Sequence, residues 1–275
     1  MVAVVTGAGS GIGMCSVAKL LLRDYVVIAW VKNSLGEVGL LENMARKNIR
    51  VHKLYIIKAD FCEQSQLNLA ISETKQILKK YGNEIDVFIN CAGVYSQTQF
   101  KPKSSTDIHT TVNFLVPIQI LNAFEGFLKN GSRAIFLFPS LFKFTYFVGK
   151  NSYTNFKKSY FNSKLSLAFY LENLAKSGKD YNIYLFLPRP STTEFYTKQT
   201  TGINLSLGQV RKMFTLPPEY SAEQIVTIAT RPEFKYESGG IYKDLKLVPQ
   251  PKFMSNKKFT DKLSCLATIK LAENR

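Results

Sequence analysis

A chain of 275 residues, 45% of them hydrophobic, can bury one substantial core and suits one large α/β domain better than two small ones. Its net charge of +16 attracts anionic ligands or acidic surfaces, or marks a lysine-rich solvated face; no nucleic-acid-binding motif accompanies it, so nucleic acid is not an expected partner. With only His52 and His109, a histidine metal site or a Ser-His-Asp triad has almost no material, so no metal is expected and the chemistry falls to other residues or a cofactor.

Strand-sized apolar runs alternate with segments of helical period. Residues 2–5 read as a strand and 11–22 as a helix, and 26–31 is a strand followed by a helix near 36–47. A strand at 51–58, a helix at 64–81 and a strand at 86–90 follow, the last ending in Cys91-Ala92-Gly93. A helix over about 106–129 should be kinked by Pro117. After a strand at 134–138, the helix carrying Tyr160 runs to about Lys176, and a strand at 184–187 stops at Pro188. Residues 189–218, rich in Thr, Gly and Pro, read as a flap with a short helix at 207–213. A helix at 222–230 and a short strand after Gly239-Gly240 complete the pattern. The alternation predicts a single Rossmann-type, doubly wound parallel sheet with helices on both faces, over residues 1–250. Residues 251–275 form a basic, weakly amphipathic helical tail.

The opening strand runs straight into the glycine turn, so no signal peptide or N-terminal anchor is expected. No window reaches the roughly 18 apolar residues that span a bilayer. Cys15, Cys62, Cys91 and Cys265 are scattered without a Cys-x-x-Cys pair, as in a reduced, cytoplasmic compartment. Lys129 to Lys179 carries Glu172 as its single acid, so a peripheral contact with an anionic membrane is a further expectation.

Two motifs carry chemistry. Thr6-Gly7-x-x-x-Gly11-x-Gly13 follows a strand and opens a helix. Its glycines allow a tight turn, and the backbone N–H groups of Ser10, Gly11, Ile12 and Gly13 face a pyrophosphate at the helix N-terminus. The next strand ends in Val31-Lys32-Asn33, with no acid to accept from a ribose 2′-hydroxyl and a lysine placed for a 2′-phosphate, which favours NADP(H) over NAD(H). The second motif is Tyr160 with Lys164, four apart on one helix face. A nearby ammonium lowers the phenol pKa and makes it usable as proton donor and acceptor near neutrality. Tyr153 and Lys157 repeat that step.

Taken in order, these motifs together with Asp60-Phe61, Asn90-Cys91-Ala92-Gly93, Asn113, Ser140, Pro188 and Thr193 resemble the short-chain dehydrogenase/reductase family, over residues 2–250. Ser163-Lys164-Leu165, Glu172-Asn173-Leu174-Ala175 and Ser238-Gly239-Gly240-Ile241-Tyr242 are similar to its retinol-dehydrogenase-like branch. The resemblance implies that Asp60 contacts the adenine and that Asn90 ties the central strands together beside the cofactor, with Phe61, Ala92, Gly93 and Pro188 along it. Ser140 would bind the substrate carbonyl oxygen, Tyr160 would protonate it, and Lys164 would hold the nicotinamide ribose. Asn113 would hold a relay water and Thr193 the carboxamide. Lys164 to Pro188 matches the family interval, which favours Tyr160 over Tyr153. A homodimer or tetramer is implied by the resemblance alone.

The chain departs from the family pattern in three places: Cys91 for asparagine, Arg189-Pro190 where Pro188 would precede glycine, and Val116 for glycine. They keep open an alternative, a catalytically weak or inactive NADP(H)-binding regulatory protein of the same fold. Aromatic residues before Tyr160 (Phe142, Phe144, Tyr146, Phe147, Tyr153) and in the flap (Phe195, Tyr196, Phe214) suggest a lipophilic carbonyl or alcohol substrate, or pack a core or subunit interface.

Overall fold

Two runs in the first 31 residues, β1 (Val2–Thr6) and β2 (Val26–Val31), are buried at every position. A strand covered on both faces reads as a continuous apolar run, the mark of a parallel sheet between two helical layers. The structure, a computed structural model, describes residues 1–95, 107–139, 156–190, 216–231 and 237–250, without the side chains of 156–158. Pleating sends alternate residues to opposite faces. Val2 and Val4 join Ile28 and Trp30 in one core, while Ala3 and Val5 join Val27 and Ala29 in the other.

The remaining strands are β3 (Leu54–Lys58), β4 (Ile85–Asn90), β5 (Leu128–Leu137), β6 (Asn182–Phe186), β7 (Ile241–Lys243) and β8 (Lys246–Val248), in the order β3-β2-β1-β4-β5-β6-β7-β8. All neighbours pair parallel except β7 with β8. One core is closed by α1 (Gly11–Leu21) and α2 (Ser34–Arg46), the other by α3 (Gln64–Lys79). The sheet is the doubly wound α/β arrangement that the alternation predicts. Its order reverses between β1 and β4, where a crevice opens at the carboxyl ends of the strands.

The expected helix over 106–129 is divided into α4 (Ile108–Thr110), a π turn (Thr111–Leu115), α5 (Val116–Phe124) and a 3-10 turn (Glu125–Phe127). Pro117 has no N–H for the carbonyl of Asn113 four residues back, and the wider turn absorbs that missing bond. Val116 N–H instead reaches the carbonyl of Thr111, five residues back. The helix carrying Tyr160 is α6 (Phe156–Lys176), packed into the first core, and α7 (Pro218–Thr230) closes the second.

Strand β3 starts at Leu54 rather than at residue 51, and β5 starts at Leu128 rather than at residue 134. Antiparallel β8 was not anticipated, because its turn residues Asp244 (φ 50°) and Leu245 (φ 59°) lack the Asn-Gly signature of a two-residue hairpin. Asp244 is gripped from outside the hairpin by Arg189, whose Nη2 and Nε lie 2.6 and 3.0 Å from the carboxylate oxygens. Among the described residues no helix is long and apolar enough to cross a membrane. The flap helix at 207–213 and the tail at 251–275 lie outside the described residues.

Candidate active site

The crevice at the β1/β4 switch is a cleft of about 800 Å³. Gly7, Ser10, Gly11, Lys32, Asp60, Phe61, Ala92 and Gly93 are among its lining residues. Gly7 has φ +67°, and a methyl group there would stand 2.6 Å from the backbone nitrogen of Ala92. One at Gly13 would stand 2.2 Å from the carbonyl oxygen of Gly7. The glycine turn is therefore folded against both its own helix and the end of β4, with no space for side chains. Ser10 is the N-cap of α1 but makes no side-chain capping bond. The N–H groups of Gly11, Ile12 and Gly13 are left by helix geometry facing outward from that terminus. A narrow turn of unpaired N–H groups at a positive dipole end, opening into a cleft of this size, fits a dinucleotide pyrophosphate.

At the far end of the cleft, Lys32 Nζ lies 3.3 Å from Asp60 Oδ2, with the lysine side chain 66% exposed. The other oxygen of Asp60 accepts from the Cys62 N–H at 3.0 Å. Asn33, beside Lys32, caps α2 by accepting from the Gly36 N–H. These contacts place the one basic and the one acidic residue expected around an adenosine side by side. Asn90, fully buried at the end of β4, accepts from the Thr6 hydroxyl at 2.8 Å, which ties the two central strands together below the turn.

Tyr160 and Lys164 lie one turn apart on α6 and are 8% and 5% exposed. A methyl group on Gly93 would come within 3.1 Å of Lys164 Nζ and 3.2 Å of Asn113 Oδ1, so both polar ends converge on the strip of backbone after β4. Among the described residues Lys164 has no ion-pair partner. Burial lowers its pKa from the ordinary 10.5 to about 8. Cys91 nearby is no counter-ion, because burial pushes its thiol up to about 12 despite the lysine. Asn113 sits in the π turn and clamps Val94 from both sides: its Oδ1 accepts from the Val94 N–H at 2.7 Å and its Nδ2 donates to the Val94 carbonyl at 2.8 Å. The same Nδ2 reaches Ser163 Oγ on α6 at 3.3 Å.

The structure thus brings Asn113 and Lys164 together at Gly93, which lines the same cleft as Lys32 and Asp60, with Tyr160 one turn before Lys164 on α6. Pro188 follows β6, and the next two residues are held in place by the Arg189 contact with Asp244 and by the Leu216 N–H donating to the Pro190 carbonyl at 2.9 Å. Ser140, Thr193, Tyr153 and the aromatic residues of the flap and of the segment before Tyr160 lie outside the described residues. Three features near the site escaped sequence reasoning. Gly9 packs on Gly36, where an added methyl group would stand 2.9 Å from its Cα. Tyr95 stands edge-on to Tyr160 with ring centroids 4.9 Å apart. Asp107, His109 and Ser159 form a polar cluster beside it. Only Asp107 carried a local signal, as an N-cap residue ahead of a helix.

The short chain dehydrogenase family model matches residues 1–203. A 3-ketodihydrosphingosine reductase from Bos taurus is 24% identical over 246 residues, 86% of this chain and 70% of the relative. Retinol dehydrogenase 14 from Homo sapiens, of the branch the sequence resembles, is 25% identical over 267 residues, covering 88% and 77%. Among solved structures, a short chain dehydrogenase from Burkholderia cenocepacia in complex with NADP superposes with a TM-score of 0.67 at 18% identity, covering 87% of this chain and 94% of that one. A dehydrogenase/reductase from Sinorhizobium meliloti gives 0.66 at 20% identity, covering 87% and 91%. With the family model spanning most of the chain over this fold and this cleft, the protein belongs to the short-chain dehydrogenase family, oxidoreductases that act on CH–OH groups.

Proposed function

We propose that the protein is an NADP(H)-dependent oxidoreductase that interconverts a lipophilic carbonyl compound and its alcohol, with Tyr160 as the acid/base. The observation that carries this reading is Lys164: an ammonium buried without a counter-ion among the described residues, one helical turn from a buried phenol and beside Gly93 at the edge of a dinucleotide-sized cleft. A chain keeps so costly a group where its charge is used.

When bound, the nicotinamide supplies or accepts the hydride at the carbonyl carbon. Tyr160 gives its proton to the carbonyl oxygen in reduction and takes it back in oxidation. Lys164 favours the phenolate by its charge and holds the nicotinamide ribose. The side-chain amide of Asn113 is committed to Val94 and Ser163, so a relay water would be held by its main-chain carbonyl, which Pro117 cannot reach. The N-terminus of α1 takes the pyrophosphate, Asp60 the adenine and Lys32 a 2′-phosphate. Ser140 and Thr193 are assigned to the carbonyl oxygen and the carboxamide by family resemblance. The names of two relatives, a 3-ketodihydrosphingosine reductase and a retinol dehydrogenase, support a long apolar substrate.

The test is NADPH oxidation across retinal-like, aliphatic, steroid and quinone carbonyls. Tyr160→Phe should lower turnover by about 10²-fold or more, the ordinary contribution of a positioned acid, with NADPH binding unchanged. Loss of turnover in Tyr153→Phe with retention in Tyr160→Phe would move the site to the earlier pair.

A further inference from the structure

Two serines of α6 make polar bonds to the segment that carries Asn113. One, from Asn113 to Ser163, belongs to the site itself. The other lies a turn earlier on α6, where Ser159 Oγ donates to Asp107 Oδ1 at 2.6 Å. Ser159 and Ser163 are four apart and face α4 and the π turn, while Tyr160 and Lys164 are each the next residue along, the lysine reaching Gly93 at the cleft wall and the tyrosine standing edge-on to Tyr95.

Asp107 is the hub of this second tie. Its Oδ1 accepts from the backbone N–H groups of His109 at 2.9 Å and Thr110 at 3.3 Å, and its Oδ2 accepts from the Thr110 hydroxyl at 2.8 Å. His109 closes the cluster, with Nδ1 3.2 Å from Ser159 Oγ and 3.4 Å from the carboxylate. Its ring lies 6.0 Å from that of Tyr160. One carboxylate thus caps the helix leading to Asn113 and grips the helix bearing Tyr160. A cap by itself needs only the local N–H groups, which leaves the bond to Ser159 with no local purpose.

We propose that Asp107 and Ser159 are positioning residues. Their bond sets the seating of α6 against the π turn, so that Tyr160 and Lys164 stay in register with the Asn113–Val94 clamp. This rests on the reading of Tyr160 and Lys164 as the reacting pair, and the experiment separates the two. Ser159→Ala removes one hydroxyl and spares the cap; Ser159→Thr keeps the hydroxyl. Amide hydrogen exchange on the full chain is the first readout, because the Val94 N–H bonds Asn113 and has no contact with Ser159. Exchange of Val94 and of residues 110–115 should quicken about tenfold or more in Ser159→Ala, the factor that accompanies loss of a hydrogen bond to a carboxylate. Amides of β1 should be unchanged, and Ser159→Thr should restore protection.

The second readout is turnover: kcat should fall about tenfold with the KM for NADPH unchanged, since a small misplacement is felt at the reacting atoms. Asp107→Asn, which keeps a capping oxygen, should add little to Ser159→Ala if the two act through one bond. Unchanged exchange at Val94, or a uniform rise that includes β1, overturns the proposal. A wild-type protein that binds NADPH without turnover overturns the reductase reading instead, and exchange still decides the positioning role.

Discussion

Replacing Lys164 by Met should stabilise this protein while abolishing its turnover. The two side chains are both unbranched and similar in size, so the cavity against Gly93 and Asn113 stays filled. What is removed is a buried charge. Burial takes the lysine from 10.5 to about 8, and at about 1.4 kcal/mol per tenfold change this amounts to roughly 3 kcal/mol held against the folded state. The sign follows from proton counting. Below about pH 8 the group is charged both folded and unfolded, and the folded protein carries the whole cost. Between about 8 and 10.5 the unfolded chain alone keeps the proton, so stability rises with pH, and above that window the cost is gone. At pH 7, Lys164→Met should therefore raise the denaturation midpoint by roughly 5–10 °C, and the advantage should shrink as pH rises through that window. Thermal unfolding of both proteins at several pH values, with NADPH-linked turnover in parallel, measures this. A variant less stable than wild type at pH 7, or one whose advantage does not vary with pH, would refute the argument from burial.

Two further substitutions probe the other parts of the cleft. Lys32→Ala should raise the KM for NADPH about tenfold and leave that for NADH unchanged, the low end for a charge-assisted contact because the lysine is exposed and shared with Asp60. An unaltered NADPH/NADH ratio in steady-state kinetics would mean that Lys32 serves Asp60 alone. Gly7→Ala puts a methyl group 2.6 Å from the Ala92 backbone at a positive φ, and should cost about 1–3 kcal/mol of stability with loss of dinucleotide binding. Chemical denaturation and NADPH fluorescence titration check it, and a fully stable, binding-competent variant would contradict the turn geometry.

The architecture and the glycine turn were legible in the chain because their causes are local. Continuous apolar runs such as Val26–Val31 can only be strands buried on both faces, and a glycine turn between strand and helix has one economical use. Tyr160 and Lys164 were legible as a helix face for the same reason. Pro117 announced an interruption, but whether it became a kink or a π turn depended on what packs around Asn113. The β7–β8 hairpin was hidden, since its turn is held by Arg189 reaching across from the end of β6 rather than by its own residues.

The same division runs through the site. Sequence by itself determined the family and the sheet and named the groups proposed for the chemistry, all of which follow from short-range spacing and side-chain type. Tertiary structure decided what those groups do to one another. Lys164 is an ordinary lysine until the fold buries it behind Gly93, and only then is its proton loosened. Lys32 and Asp60 become partners because parallel β2 and β3 end side by side, and Asp107 meets Ser159 across 52 residues because two helices pack on one face of the sheet. Burial and long-range contact have no signature in any one stretch of chain, so these consequences belong to the folded molecule.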